Sequence, residues 1–184
     1  MKKGVFLSML GLMAVCVELR FNGIELVPDI VGVAVFAIGL VVLRRHFPQF
    51  TNPLIASGVF AAISAISLAT SFGGTAETTI SVNPILSSDA LAWARLAALV
   101  AMLWLFCDAV FKTLSGLGLH ELADHARQRR TMFVVVWIGL HLALAFAIVF
   151  NILIIPIVLF AELWFAWWLT APLREMLAFQ TASN

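Results

Sequence analysis

Two ionisable residues stand inside the last long apolar stretch of the chain. Residues 132–170 are almost all apolar, and His141 and Glu162 are the titratable side chains among them. An ionisable group within the hydrocarbon of a membrane is costly, so it predicts a function by default. An imidazole and a carboxylate in low dielectric can share a proton, which predicts a proton relay or an ion or substrate site. The alternative is a buried structural hydrogen bond between two helices.

The positions of these two residues predict a common depth in the membrane. About 20 apolar residues cross a bilayer, so this stretch is long enough for two helices that reverse near Asn151. His141 follows Met132 by nine residues, and Glu162 precedes Thr170 by eight. At roughly 1.5 Å per residue, both are expected about 12 to 14 Å from the same membrane face.

A second polar pair is predicted from Glu18 and Arg95. Both residues lie toward the opposite face from the short basic loops, inside apolar segments. A pairing between their helices would neutralise two charges that are otherwise costly there.

The segment 120–125 is the other place where side chains could do chemistry. Its two histidines are five residues apart, whereas the zinc-protease motif needs a spacing of four. His120 with Asp124, and Glu121 with His125, are each four apart and could form two-ligand half-sites for a metal. A solvent-exposed helix face explains the same residues and is the favoured interpretation. No phosphate-binding loop, nucleophile elbow or catalytic cysteine–histidine pair occurs, so neither an enzyme nor a cofactor is predicted.

Composition indicates which class of protein must position these residues. Hydrophobic residues make up 62% of the chain and charged residues 11%, against about 45–50% apolar in a soluble domain. The 184 residues predict a single transmembrane domain, 1–184, because no polar stretch is long enough for a second domain. A net charge of +1 gives no global basic surface, which argues against nucleic-acid binding.

The apolar stretches predict an all-α membrane bundle of six transmembrane helices in three hairpins. Short loops rich in Lys and Arg stay in the cytoplasm. With the N-terminus inside, nine of the eleven basic residues fall in inner segments, and only Arg20 and Arg95 lie toward the outside. Both termini are therefore predicted to be cytoplasmic. The predicted spans are residues 4–21, 26–43, 54–72, 90–111, 132–150 and 152–170.

The long inner segment 112–130 shows helical periodicity. Apolar residues recur at helical spacing from Leu119 to Ala126, which predicts a short amphipathic helix at the inner interface. Asp108 and Lys112 are four residues apart in the favourable order, which predicts an ion pair at the inner end of the fourth span.

Small residues repeat at every fourth position in two neighbouring predicted spans. Such stripes let helix backbones approach closely, so the third and fourth spans are expected to pack along them. The residues are Ser57, Ala61, Ala65 and Ala69 in the third span and Ala90, Ala94 and Ala98 in the fourth.

Three tryptophans, Trp164, Trp167 and Trp168, cluster near the inner end of the last predicted span. Indole rings favour the membrane interface. The cluster therefore predicts interface anchors, in preference to a ligand cage.

Three short segments of the chain carry a resemblance. They are Phe21-Asn22-Gly23-Ile24-Glu25-Leu26-Val27-Pro28-Asp29-Ile30-Val31-Gly32, then Gly39-Leu40, and residues 112–123 with Gly116-Leu117 and Glu121-Leu122-Ala123. These segments resemble a loose group of small bacterial polytopic membrane proteins to which no function is assigned. The resemblance implies a location in the bacterial cytoplasmic (inner) membrane, and it carries over no ligand, site or activity.

The favoured function is that of a small non-enzymatic integral membrane protein with an accessory or regulatory role. Short loops and the absence of catalytic motifs favour it, and the inner amphipathic helix offers a docking surface. The alternative is a small proton-coupled carrier or channel that uses His141 and Glu162. A membrane enzyme acting on lipid could draw its polar groups only from 120–125. The predicted partners are the lipid bilayer and either a second copy or another membrane protein.

Overall fold

The computed structural model describes residues 1–16, 20–21, 24–25, 29–73, 90–148 and 155–182. This part of the chain is helical apart from one short strand pair, which confirms the all-α class. The helices are α1 (Lys2–Cys16), α2 (Asp29–Arg44), α3 (Thr51–Gly73), α4 (Ala90–Gly116), α5 (His120–Ile148), α6 (Ile155–Leu169) and α7 (Ala171–Ala182); a 3-10 turn, Pro48–Phe50, precedes α3, and the strands are β1 (Arg20–Phe21) and β2 (Ile24–Glu25).

Helix α4 lies at the centre of the bundle, where it contacts α3, α5 and α7. Its buried face carries large apolar side chains, among them Met102, Leu103 and Phe106. The ring of Phe106 meets that of Phe36 edge-on at 5.4 Å between centroids, and it lies 6.3 Å from the ring of Phe50. One aromatic cluster therefore joins α2, the 3-10 turn and α4.

Helices α1 and α2 pack so closely that only glycine fits at their contact. A Cβ atom on Gly11 would lie 2.5 Å from the Cα atom of Phe36, and one on Gly39 would lie 2.9 Å from the carbonyl oxygen of Gly4. These neighbours are backbone atoms, so no change of rotamer makes room. We call Gly4, Gly11, Gly32 and Gly39 the glycine seam. Its residues lie seven apart on each helix, which brings them to the same face.

The strand pair continues this antiparallel hairpin. Phe21 pairs with Ile24 and Arg20 with Glu25; the two residues between the strands, Asn22 and Gly23, lie outside the described residues. Helix α2 begins at Asp29, and a carboxylate is favourable in the first turn of a helix.

The predicted alanine seam between α3 and α4 is only partly correct. The two helices do contact each other, but on α3 the buried face is Ser57, Phe60 and Ser64, while Ala65 and Ala69 are exposed. A four-residue repeat turns by about 40° per step, so it leaves the buried face within a few turns. The first two alanines of the α4 stripe are exposed as well.

The predicted separate amphipathic helix is also corrected. Helix α4 runs on to Gly116, and α5 starts at His120 and continues to Ile148, so the segment forms the first turns of α5. Between them the N–H of Leu119 bonds the carbonyl of Leu114 at 3.0 Å, and the N–H of Gly118 bonds that of Ser115 at 3.1 Å. This is a Schellman cap, which needs the positive φ of 74° that Gly118 adopts.

Within the described residues, two helical stretches are long and apolar enough to cross a membrane. They are Pro48–Ala69 and Trp93–Gly116, and a shorter apolar stretch is Ile30–Arg44. Both long stretches belong to the hairpin of α3 and α4.

The glycine seam predicts a sharp difference between two Gly→Ala substitutions. Gly11→Ala places a methyl group against the backbone of α2 and should lower the free energy of unfolding by about 1–3 kcal/mol or more. The matched control is Gly58→Ala on α3, where nothing lies within 4 Å of the added Cβ; better helix propensity should leave it neutral or stabilised by up to about 1 kcal/mol. Thermal unfolding in detergent, followed by circular dichroism, measures both. Equal melting temperatures for the two variants would contradict the seam.

Candidate functional site at the polar end

The predicted intramembrane pair lies on two helices that contact each other. His141 belongs to α5 and Glu162 to α6, but their side chains lie outside those the structure describes, so their contact stays a prediction. Glu18 also lies outside the described residues. Arg95 is buried on α4, with 8% of its surface exposed, and its pairing with Glu18 stays a prediction too.

The residues considered for metal binding stand on the first turns of α5. His120, Glu121, Asp124 and His125 are all exposed. Across the described residues, no group of three or more His, Cys, Asp or Glu could hold a metal ion. The two-ligand half-sites stay a prediction, and the exposed polar face agrees with the favoured interpretation.

A connected group of charged and aromatic side chains lies instead at the end of the bundle where α5 begins. We call this region the polar end: residues 104–116 of α4, 120–136 of α5, 164–169 of α6, and α7. The predicted ion pair is confirmed there, with Lys112 Nζ 2.7 Å from Asp108 Oδ2.

The arginine Arg130 extends this pair into a bridge between two helices. Its Nη1 atom donates to Oδ1 of Asp108. Its guanidinium carbon lies 5.2 Å from the ring centre of Trp104 and 5.6 Å from that of Phe111. Cation–π contact and a charged hydrogen bond thus fix the start of α5 against the end of α4.

A proline break between α6 and α7 creates an acceptor for a second arginine. Pro172 has no N–H, so the carbonyl of Trp168, four residues earlier, cannot receive its usual helical hydrogen bond. The Nη1 atom of Arg129 donates to that carbonyl. The Arg129 guanidinium also lies 5.3 Å from the ring centre of Trp168. One side chain of α5 therefore satisfies the backbone at the break.

The neighbouring carbonyl is capped in the same manner from α7. Arg174 Nη2 donates to the carbonyl oxygen of Trp167 at 2.9 Å, and its guanidinium stacks 3.2 Å from the centre of the Trp167 ring. The C-terminus of a helix carries partial negative charge, so two cations there are electrostatically favourable. The only sequence signal for this arrangement was Pro172 followed by Arg174.

Burial and neighbouring charges shift both arginines in the same direction. Burial lowers the pKa of the Arg129 guanidinium from its ordinary value, and Glu175 opposes that change. The pKa of Arg174 is lowered first by burial and then by the charge of Arg129, again opposed by Glu175. Because arginine is not deprotonated in proteins, the two cations stay charged and near each other.

A cleft of about 450 Å³ opens beside Arg129, between α5 and α6. We call it the Arg129 cleft. Its polar lining is His125, Gln128 and Arg129, and its apolar lining is Met132, Val136, Trp164 and Trp168. It has a polar and an apolar half because α5 passes here from its charged first turns into its apolar length.

The three tryptophans take part in this arrangement in two ways. Trp164 and Trp168 stack with 6.4 Å between ring centroids, whereas Trp167 packs under Arg174. Trp164 is 51% and Trp167 49% exposed. Their half-exposed rings at an end of the bundle agree with interface anchors, and Trp168 in addition supports Arg129.

The bridge at Asp108 predicts unequal coupling with its two cations. Arg130 and Asp108 side chains are each 20% exposed, whereas Lys112 is 57% exposed. A double-mutant cycle with Asp108→Asn and Lys112→Gln should give a coupling free energy of about 0.2–1 kcal/mol, as exposed pairs do. The cycle with Asp108→Asn and Arg130→Gln should give a larger coupling free energy, because that pair is better shielded from water. Unfolding in detergent measures both, and equal coupling energies would contradict the bridge.

Comparison with protein-family models, with curated proteins and with solved structures finds no match to this chain.

Proposed function

We propose that this protein is a multi-pass integral membrane protein of the bacterial cytoplasmic membrane with six spans, both termini inside, and a non-catalytic accessory or regulatory role. The observation that carries the proposal is the polar end, a rigidly fixed surface of charged side chains on an otherwise apolar bundle. The bilayer surrounds the apolar part, and the polar end is the surface that a partner recognises.

The exterior of the bundle supports membrane insertion. Large apolar side chains are exposed on the described parts of α1 to α6, including Val135 and Phe160, each 72% exposed, and Ile55 at 62%. A soluble protein rarely exposes contiguous apolar surface of this kind, whereas lipid makes it favourable. Small polar side chains such as Ser57 and Thr113 are buried instead, which is typical of membrane helix contacts.

The distribution of basic residues supports the orientation. Gly4 of α1 lies beside Val42 of α2, so Lys2 and Lys3 start near the end of α2, where Arg44 and Arg45 stand. Most of the remaining basic residues belong to the polar end. Positive charge collected in the short connections on one side favours the cytoplasm for that side.

The first turns of α5 support a docking role. Ala123 and Ala126 face inward and are buried, while the charged residues between and beside them are exposed. Arg129 and Arg130 hold this segment to α6 and α4. A polar surface held by such contacts loses little conformational entropy when a partner binds. Asp124 is one of the exposed charged residues of this segment.

The proposed topology predicts which introduced cysteines are accessible from outside. In a background without native cysteines, Thr75→Cys and Asn83→Cys should react with a membrane-impermeant maleimide added to intact cells, because the loop that holds them carries no basic residue. Gln128→Cys should react only after the membrane is opened. The reverse pattern would contradict the six-span orientation.

The accessory role predicts a specific protein contact at the polar end. A photo-crosslinking amino acid at Asp124 should give a discrete adduct with another membrane protein or a second copy in native membranes. The matched control is the same amino acid at Val135, which is exposed on the apolar part of the same helix and should give lipid adducts only. Adducts are resolved by gel and identified by mass spectrometry.

The carrier hypothesis is the outcome that would replace this proposal. Purified protein in liposomes should show no proton flux above that of empty liposomes if the role is accessory. Flux by the wild type that is lost in a stable His141→Leu, Glu162→Leu double variant would favour the carrier. Absence of any adduct at Asp124 would remove the support for a docking role.

A further inference from the structure

We propose that the Arg129 cleft binds an anionic phospholipid, with the headgroup phosphate at Arg129 and an acyl chain along the apolar half. This inference rests on the proposed function, because it requires α5 and α6 to lie in a bilayer. It adds a ligand that the docking role does not need.

The polar half of the cleft has the chemistry that a phosphate requires. Arg129 gives one of its N–H groups to the Trp168 carbonyl, and the guanidinium has further donors in a planar fork that suits phosphate oxygens. Gln128 offers amide donors, and His125 can donate from its ring. All three residues line the cleft.

The apolar half continues the cleft in the direction an acyl chain would take. From Arg129 to Val136 the axis of α5 advances about 10 Å, and over that distance the lining changes from charged to apolar. Trp164 and Trp168 form the opposite wall, on α6. A phospholipid has the same order of polarity from headgroup to chain, whereas free phosphate has no group for the apolar wall.

The charge around the cleft favours an anion. The polar end holds five cationic side chains and four carboxylates, which are Lys112, Arg127, Arg129, Arg130 and Arg174 and Asp108, Glu121, Asp124 and Glu175. Asp108 is engaged by Lys112 and Arg130, and Glu175 is the carboxylate whose charge opposes the effect of burial on the pKa of Arg129 and Arg174. The Nε and Nη1 atoms of Arg174 are shielded from solvent and have no hydrogen-bond partner within the described residues. An anion at Arg129 therefore offsets repulsion between two cations.

Native mass spectrometry of the full-length protein, titrated in detergent with dioleoyl phosphatidylglycerol or dioleoyl phosphatidylcholine, tests the proposal. The wild type should bind phosphatidylglycerol more tightly. Gln128→Glu, inside the cleft, should reduce that preference about fivefold, as expected for one charge of about 1 kcal/mol. Arg127→Gln changes the net charge equally at the adjacent exposed position outside the cleft, and should leave the preference unchanged.

Three results would overturn the inference. The first is equal binding of the two lipids by the wild type. The second is a loss of phosphatidylglycerol preference in Arg127→Gln equal to that in Gln128→Glu. The third is full displacement of the lipid by glycerol phosphate, which shares the headgroup chemistry but lacks the acyl chain. Arg129→Gln should reduce the preference for phosphatidylglycerol more than tenfold, in a sample whose melting temperature shows that the variant folds. Extraction of the wild type from membranes by alkaline carbonate would overturn the proposed function itself. Retention in the membrane with no lipid preference would overturn only this inference.

Discussion

The backbone carbonyl of Trp168 is the group on which the polar end depends. Pro172 removes its helical donor, and a carbonyl left bare in a low-dielectric region would cost several kcal/mol. Arg129 supplies the missing donor from α5, and Trp168 returns an aromatic face to the cation. The break between α6 and α7 is therefore tolerated because another helix completes it. The same contact holds α5 against α6, which helps to fix the position of the exposed side chains on the first turns of α5.

Two kinds of helix contact divide the molecule. At the glycine seam, α1 and α2 meet backbone to backbone, in van der Waals contact. At the polar end, α4, α5, α6 and α7 are held by cations that contact carboxylates, carbonyls and indole rings. The dispersion energy of a helix contact depends on close packing and changes little with salt, whereas the energy of charged contacts changes with water, salt and neighbouring anions. The polar end, which holds the charged side chains, is therefore also the part of the bundle whose helix contacts are sensitive to water, salt and neighbouring ions.

Local features of this fold could be predicted from the sequence, and contacts between distant segments could not. The start of α2 at Asp29 and the pair of Asp108 with Lys112 follow from neighbours in sequence, through helix-start and i, i+4 rules. Arg130 joins that pair only because the cap at Gly118 returns α5 against α4. The contact of Arg129 with the Trp168 carbonyl left no pattern in the sequence, because a backbone oxygen is present at every residue. For the glycine seam a signal existed, a spacing of seven on both α1 and α2. The alanine repeats on α3 and α4 were misleading, because a four-residue repeat turns away from the buried face of a helix.

The glycine seam also limits how α1 and α2 can slide past each other. Because glycines recur every seven residues on both helices, the next arrangement that avoids a backbone clash lies one repeat away, about 10 Å along the axis. A shift of that size would draw Lys2 and Lys3, or Arg44 and Arg45, from the end of the hairpin toward its apolar middle. It would also break the pairing of Phe21 with Ile24. The seven-residue glycine repeat and the basic residues at the helix ends together therefore select one alignment of α1 and α2 along their axes, although neither is sufficient alone.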